Sequence, residues 1–397
     1  MIAALALGLA AAAAAAPPSV DEIVRRYVEA RGGAPRWQAL EALEWNGTCV
    51  TFSKAAPCSQ QRKRPNALRF EYQLNGRPAT VGYDGRTAWW INPMMSGDVG
   101  EMPPADARAL EADSDFDSAL FDWRAKGHQV ELLGQETLEG HPTYKLRVTR
   151  QSGAVETWYL DAQSFLEVAR ESPGSDFGQE MRQWTWYSDF RDVGGMKLPF
   201  HREIEYGTRT VQLQIADVRP GVALEAARFR MPPPVGMDKL QDLVGEFEVK
   251  LETRPDPRAP WTELHTRSRV ESLMAGGLLS ERLSVERPEG KNELLRTLSY
   301  DRFRKCYRLT EFDSDTKYQN VLEGTLGEDG KLVLSNEATK TTWSGYGMNF
   351  NGRLVAYEIG AGGFKLDSDL STDGGTTWTT FARYVYTRAP AGAEARP

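Results

Sequence analysis

The chain has 397 residues, enough for two ordinary domains that each bury a core. Charged residues make up 26% of it and the formal net charge is -7. That balance argues against nucleic acid or an anionic membrane surface as the main partner, since both attract clustered Lys and Arg.

At the amino terminus, Ile2 to Ala16 is an unbroken apolar run, mostly alanine, that ends in small residues before Pro17 and Pro18. It reads as a secretory signal peptide over residues 1–16, although without a basic n-region, and it is too short to span a membrane. No stable transmembrane anchor is expected, and export would place the chain in the periplasm. Ser19 and Glu22 then form a capping box ahead of Ile23, Val24, Tyr27 and Val28 at helical spacing, with Gly32-Gly33 as a stop. A second short helix is expected to carry Trp37, Leu40 and Leu43. Cys49 and Cys58 lie close enough in sequence to bridge the ends of one hairpin in an oxidising compartment; three separate buried cysteines, Cys306 included, is the alternative. The basic cluster Arg62-Lys63-Arg64, followed by Pro65, reads as a solvated loop.

From Leu43 the hydrophobic period becomes two. Leu68 to Leu74 alternates and runs into the hairpin turn Asn75-Gly76, and Asp84-Gly85 precedes a strand through Trp89 and Trp90. A loop from Asn92 to Pro104 carries Met94, Met95 and Met102, and a helix is expected over about Ala105 to Trp123. Strands are expected again at 130–133, 143–148, 156–160, 165–170 and 181–190. A few helices with a long curved antiparallel sheet suggest a half-open barrel with helices plugging one side.

Pro232, Pro233 and Pro234 remove three backbone donors in a row and make a stiff spacer. The expected organisation is therefore a first domain over 17–232, a linker over 233–239, a second β-rich domain over 240–389 and a disordered tail over 390–397. In the second half, turns are expected at Asp329-Gly330, Asn351-Gly352 and Asp373-Gly374, and Phe364 to Leu370 alternates.

Little here points to catalysis. His128, His141, His201 and His265 are scattered, so no metal site follows. Asp113-Ser114-Asp115-Phe116-Asp117 lacks the Gly and Glu of a calcium loop and reads as a solvated acidic helix start. Ser371 to Trp378 matches one Asp-box, but a propeller needs that motif in every blade; we read it as a turn in which Asp373 bonds its own loop. The aromatic placement is more informative. Phe70 and Tyr72 share a strand face, Trp89 and Trp90 are adjacent, Trp158 alternates with Leu160, and Trp184 alternates with Trp186. Each could be ordinary core, or together they could line an apolar cavity for an acyl chain, with Met94, Met95 and Met102 as an adaptable rim.

The first half resembles the outer-membrane lipoprotein-sorting superfamily (LolA-like). The resemblance rests on Tyr27 to Gly33 with Trp37 and Leu40, on Tyr83 to Trp89, on Trp158 to Asp161, and on Gly195 to Pro199 leading to Phe229 and Pro232. It implies a half-barrel with lid helices and an apolar pocket for lipid or lipoprotein acyl chains. The second half resembles a lipocalin-like barrel family of the calycin group through Leu243 to Phe247, Gly276 to Leu279, Leu298 to Asp301, Leu322 to Thr325 and Tyr384 to Arg388. Phe247 replaces the Trp of that family's entry motif. Some relatives bind haem through a histidine near the end of the barrel, whereas His265 is near its beginning, so no cofactor is expected. The resulting expectation is a non-enzymatic periplasmic binding protein that holds lipid or lipoprotein acyl chains. An envelope sensor that docks a protein partner, or a small-molecule enzyme inside a barrel, are the alternatives.

Overall fold

A computed structural model describes residues 18–390 apart from 177, 208, 288, 289 and 346. The leader over 1–16 and the tail beyond residue 390 lie outside the described residues. The chain divides into two units, the first extending to Gly97 and from Glu101 to Met231, the second taking Asp98–Gly100 and running on from Pro232.

In the first unit Ser19 caps α1 (Val20–Ala30), its side chain accepting from the Glu22 amide at 3.3 Å, and buries Ile23, Val24 and Tyr27. Helix α2 (Ala34–Gln38) brings in Trp37 and stops at Gln38, so Leu43 lies in the first strand instead of on this helix. Strands β1 (Ala42–Thr51), β2 (Lys54–Lys63), β3 (Ala67–Leu74), β4 (Arg77–Tyr83), β5 (Ala88–Ile91) and β6 (Val99–Glu101) precede α3 (Pro104–Ser114). After α3 come β7 (Gln129–Leu138), β8 (His141–Thr149), β9 (Val155–Asp161), β10 (Glu167–Asp176), β11 (Gln179–Val193), β12 (Met196–Tyr206) and β13 (Arg209–Pro220). They form one sheet in the order β6-β5-β4-β3-β2-β1-β13-β12-β11-β10-β9-β8-β7. Two meanders, β1 to β6 and β7 to β13, join into this one open sheet where β1 meets β13, across a bulge at Asn46 and Gly47.

Arg62 on β2 and Arg170 on β10 stand five strands apart, roughly 24 Å in a flat sheet, yet they line one cavity. The sheet therefore curls into a half-barrel. Gly32 sits at φ +109° against β12, where an added Cβ would meet the Gly195 carbonyl oxygen at 2.3 Å. Only glycine fits there.

Helix α3 is shorter than the sequence suggests, and the reason is electrostatic. Arg62 donates from Nη2 to the main-chain carbonyls of Asp113 (2.8 Å) and Asp115 (2.6 Å), drawing the chain out of the helix at Asp115. Asp113 pairs with Arg170, Asp115 with Lys126 and Arg150, and Asp117 with Arg64. Neither the acidic run nor the basic cluster is a solvated segment. They are partners that wedge 113–117 into the open side of the sheet, and the acidic run closes a helix instead of starting one.

Cys49 and Cys58 form a disulfide with a Cα separation of 5.7 Å. It runs diagonally between β1 and β2, since Cys49 pairs with Ala56 and Cys58 with Gly47.

The second unit opens earlier than expected, because Met237, inside the supposed linker, is already buried at 1% exposure in its core. Met237–Leu243 forms a 3-10 segment that leads into the first strand of this unit. Eleven strands follow: β14 (Gly245–Thr253), β15 (Thr262–Leu273), β16 (Leu278–Arg287), β17 (Gly290–Asp301), β18 (Cys306–Asp313), β19 (Gln319–Leu326), β20 (Leu332–Ser335), β21 (Trp343–Gly345), β22 (Met348–Gly360), β23 (Gly363–Ser371) and β24 (Thr379–Arg388). Pairing of β20 with β22 closes ten of them into an antiparallel barrel, with β21 attached outside the ring. Asn351-Gly352, expected as a turn, is the interior of β22. The Gly352 amide donates to Asn336 Oδ1 at 2.9 Å, and a Cβ there would meet Asn320 Nδ2 at 3.1 Å, so a buried asparagine cluster overrides the turn signal. At Asp373-Gly374 the turn is present, with Asp373 accepting from the Thr377 amide (2.9 Å) and hydroxyl (2.6 Å).

Two stability predictions follow from the first unit. Burial pushes the Asp113 pKa up, but Arg170 more than reverses this and leaves it below its ordinary 3.8. Its stabilisation is thus fully present above about pH 4 and lost as pH falls through the depressed folded value. Asp113→Asn is expected to lower the unfolding free energy by about 2 kcal/mol, less than the ~3–5 kcal/mol of a fully buried pair, because 42% of the Asp113 side chain remains accessible. It should also flatten the acid limb of a stability-against-pH curve measured by urea denaturation. Replacing both Cys49 and Cys58 by Ala should cost roughly 2–3 kcal/mol, as expected for releasing a short loop, read by the same denaturation.

Candidate functional site

The concave face of the half-barrel holds two adjoining cavities of about 280 and 220 Å³. Phe70, Val81, Leu110, Asp113, Ile204, Tyr206 and Leu213 line both. Strand parity sets which side chains face inward. On β12 these are Met196, Leu198, Phe200, Arg202, Ile204 and Tyr206, and on β11 they are Gln183, Thr185 and Tyr187.

The smaller cavity is the more apolar. Phe70 and Tyr72 stack at 4.9 Å between centroids, and Trp90, Met102, Leu74 and Val211 complete its walls with the Cys49 side chain. Burial raises the Tyr72 hydroxyl to about 12, so it stays neutral. The larger cavity is ionic. Arg31, Arg62, Arg150, Arg170 and Arg202 line it with Asp113, Asp115, Asp117 and Glu167.

Most of these charges are committed to one another. Arg31 pairs with Glu167, which also accepts from the Tyr27 hydroxyl at 2.7 Å, and Arg31 Nε reaches the Lys197 carbonyl at 2.8 Å. Arg150 donates to Glu156 at 2.6 Å, and Glu156 in turn receives the Trp158 indole N–H at 2.7 Å. Burial drives the Tyr27 hydroxyl well above its usual value, with the Glu167 charge adding to it. Arg62 and Arg202 stand apart. Neither has an ion pair among the described residues. Burial and the neighbouring Arg202 charge lower Arg62 to about 10, and burial lowers Arg202 despite the opposing influence of Tyr187 and Asp113. Both remain cationic at neutral pH. Their accessible surface opens onto the cavity.

Of the residues singled out in the sequence, Phe70, Tyr72, Trp90, Trp158 and Met102 line one or both cavities. Trp89 does not: adjacent residues on a strand face opposite ways, and its indole is fully buried on the other side of the sheet, donating to the Phe229 carbonyl at 2.8 Å. Leu160 is core, at 0% exposure, away from either cavity. Trp184 and Trp186 also leave the site, because Thr185 and Tyr187 take the inner face. They stack on each other at 5.5 Å on the outer face, where Trp184 also stacks on Tyr159 at 5.4 Å and Trp186 donates to Glu205 at 2.9 Å. Met94 and Met95 are exposed and line neither of the two cavities. The arginines were missed. Arg202 stands at an apolar position of an otherwise alternating strand, and that break in the pattern was the available signal.

The barrel interior is different. Arg296 donates to Glu311 (2.6 Å), Glu281 (3.4 Å), Tyr386 (3.3 Å) and Tyr384 (3.5 Å), and Ser268 bonds Glu281 at 2.6 Å. A void of only about 60 Å³ remains. Arg388 covers the ring of Phe247 at 5.0 Å and donates to the carbonyls of Val244 and Asp242, both at 2.9 Å. Among the described residues no three His, Cys, Asp or Glu side chains converge as a metal site would require, and no helix is long and apolar enough to cross a membrane.

With this geometry in hand, the chain can be set beside the known proteins it is similar to. A family model described as a protein of unknown function (DUF1579) matches residues 237–388. No curated protein matches the chain. Among solved structures, a LolA superfamily protein from Nitrosomonas europaea is 14% identical over 54% of this chain and 98% of its own, with a TM-score of 0.37. A DUF1329 family protein from Desulfovibrio piger is 12% identical over 54% of this chain and 98% of its own, with a TM-score of 0.38. MucB of Pseudomonas aeruginosa, solved as a complex with MucA, aligns at 13% identity over 93% of this chain and 94% of its own, with a TM-score of 0.21.

Proposed function

We propose that the first unit is a non-enzymatic periplasmic carrier that shelters an acyl chain on its concave face, in lipid or lipoprotein traffic of the envelope. The observation that carries this reading is the aromatic cavity walled by Phe70, Tyr72, Trp90 and Met102, adjoining a larger one on the same face. Burying ten CH₂ groups there gains ~8 kcal/mol gross. Ordering the chain and losing its translational freedom offset several kcal/mol of that, which leaves the reversible hold a carrier needs. The carboxylates that line the larger cavity, Asp113, Asp115, Asp117 and Glu167, are committed to Arg31, Arg64, Arg150, Arg170 and Lys126, which leaves them poorly placed as general acids or bases. For the barrel, whose interior is filled by the Arg296 network, we infer a docking or structural role.

Native mass spectrometry on the full chain, purified without detergent, tests the carrier reading. A stoichiometric acyl-chain ligand is expected. Trp90→Ala should weaken binding ~30-fold, the equivalent of about 2 kcal/mol of lost contact, while Trp184→Ala, on the outer face, should not change it. An empty mass that stays unchanged after incubation with envelope lipids would sink the reading.

A further inference from the structure

We infer that the ligand of this cavity is a single-chain amphiphile with an anionic head, the head held between Arg62 and Arg202 and the chain laid past Phe70 toward Trp90. The inference rests on the carrier reading and adds to it the charge and size of the cargo.

Three observations converge. The first is the charge left over at the cavity. Every carboxylate lining the larger cavity has a cation: Glu167 has Arg31, Asp113 has Arg170, Asp115 has Lys126 and Arg150, and Asp117 has Arg64. Among the described residues Arg62 and Arg202 have no such carboxylate. Arg62 spends Nη2 on two main-chain carbonyls, and its buried Nε has no acceptor. The Arg202 side chain makes no hydrogen bond among the described residues. Its Nε is likewise buried without an acceptor, and its contact is the Trp45 ring at 5.3 Å.

A guanidinium whose charge has no carboxylate and whose buried Nε has no acceptor is costly, and two that repel each other are more so. The arrangement persists at lower cost if an anion completes it. Arginine's planar fork suits a carboxylate or a phosphate equally. The second observation is a further donor. The Tyr187 hydroxyl lines the same cavity, is kept protonated by burial, and has no hydrogen-bond partner among the described residues.

The third is continuity and size. Phe70, Ile204 and Leu213 are shared by the ionic and aromatic cavities, so one ligand can occupy both. Their volumes, about 280 and 220 Å³, each lie below the usual ~300–1,000 Å³ of ligand pockets, and only together fall in its lower half. That is room for a head and one chain.

The test uses delipidated full-length protein and four probes: hexadecanoate, 1-hexadecanoyl lysophosphatidate, hexadecanol and inorganic phosphate, with affinity read by calorimetry. Both charged single-chain probes are expected to bind at least ~10-fold tighter than the alcohol, the worth of one charge-assisted hydrogen bond. Whichever of the two is tighter identifies the head as carboxylate or phosphate. Arg202→Gln should weaken both charged probes ~10-fold and close the gap to hexadecanol. Tyr187→Phe, a milder change to the same wall, should narrow it. The comparison on the unmodified protein stands even if a variant misfolds. Equal affinity for acid, lysophosphatidate and alcohol overturns the inference while leaving the carrier reading intact. Binding of inorganic phosphate with no binding of any chain-bearing probe overturns both, as does failure of all four probes.

Discussion

A sheet that curls without closing leaves a concave face, and something other than strand pairing has to fill it. In the first unit the filling is a charged segment of the chain itself. Residues 113–117 are drawn out of α3 by Arg62, which takes their carbonyls, and are pinned by Arg64, Arg150 and Arg170, which take their carboxylates. Because the wedge is held by directed ion pairs and not by a continuous apolar contact, it does not pack the half-barrel solid. The space it leaves is the cavity.

The barrel answers the same requirement in the opposite way. Pairing of β20 with β22 removes the open side, and a single arginine, Arg296, is surrounded by two glutamates and two tyrosines. A fully satisfied buried network of this kind rigidifies an interior. Arg202, at a comparable inward position on its strand, has no such company. The contrast between a saturated arginine in a closed barrel and unsaturated arginines in an open one separates a packed core from a receptive one.

Physically, the cavity is amphiphilic more than greasy. Aromatic walls supply non-directional burial, which is tolerant of chain length and easily reversed. The guanidiniums supply direction, since a head group satisfies them only in one place.

Much of the architecture was legible from local pattern. The capping box at Ser19, the Asn75-Gly76 hairpin, the alternation of β3, β9 and β23 and the break at three prolines each depend on residues close in sequence, so the chain alone determined two β-rich units with helices at the start of the first. Parity along one strand also located Phe70 and Tyr72 together. What it could not decide was which face of each strand looked inward. Trp89 and Trp90, or Trp184 and Thr185, differ by one residue and end on opposite sides. Nor could local pattern reveal that Arg62-Lys63-Arg64 and Asp113 to Asp117, some fifty residues apart and each plausible as a solvated run, neutralise one another. That pairing depends on the curl of the sheet, which is a sum over many strands. The charges that remain unpaired are a property of the tertiary structure alone.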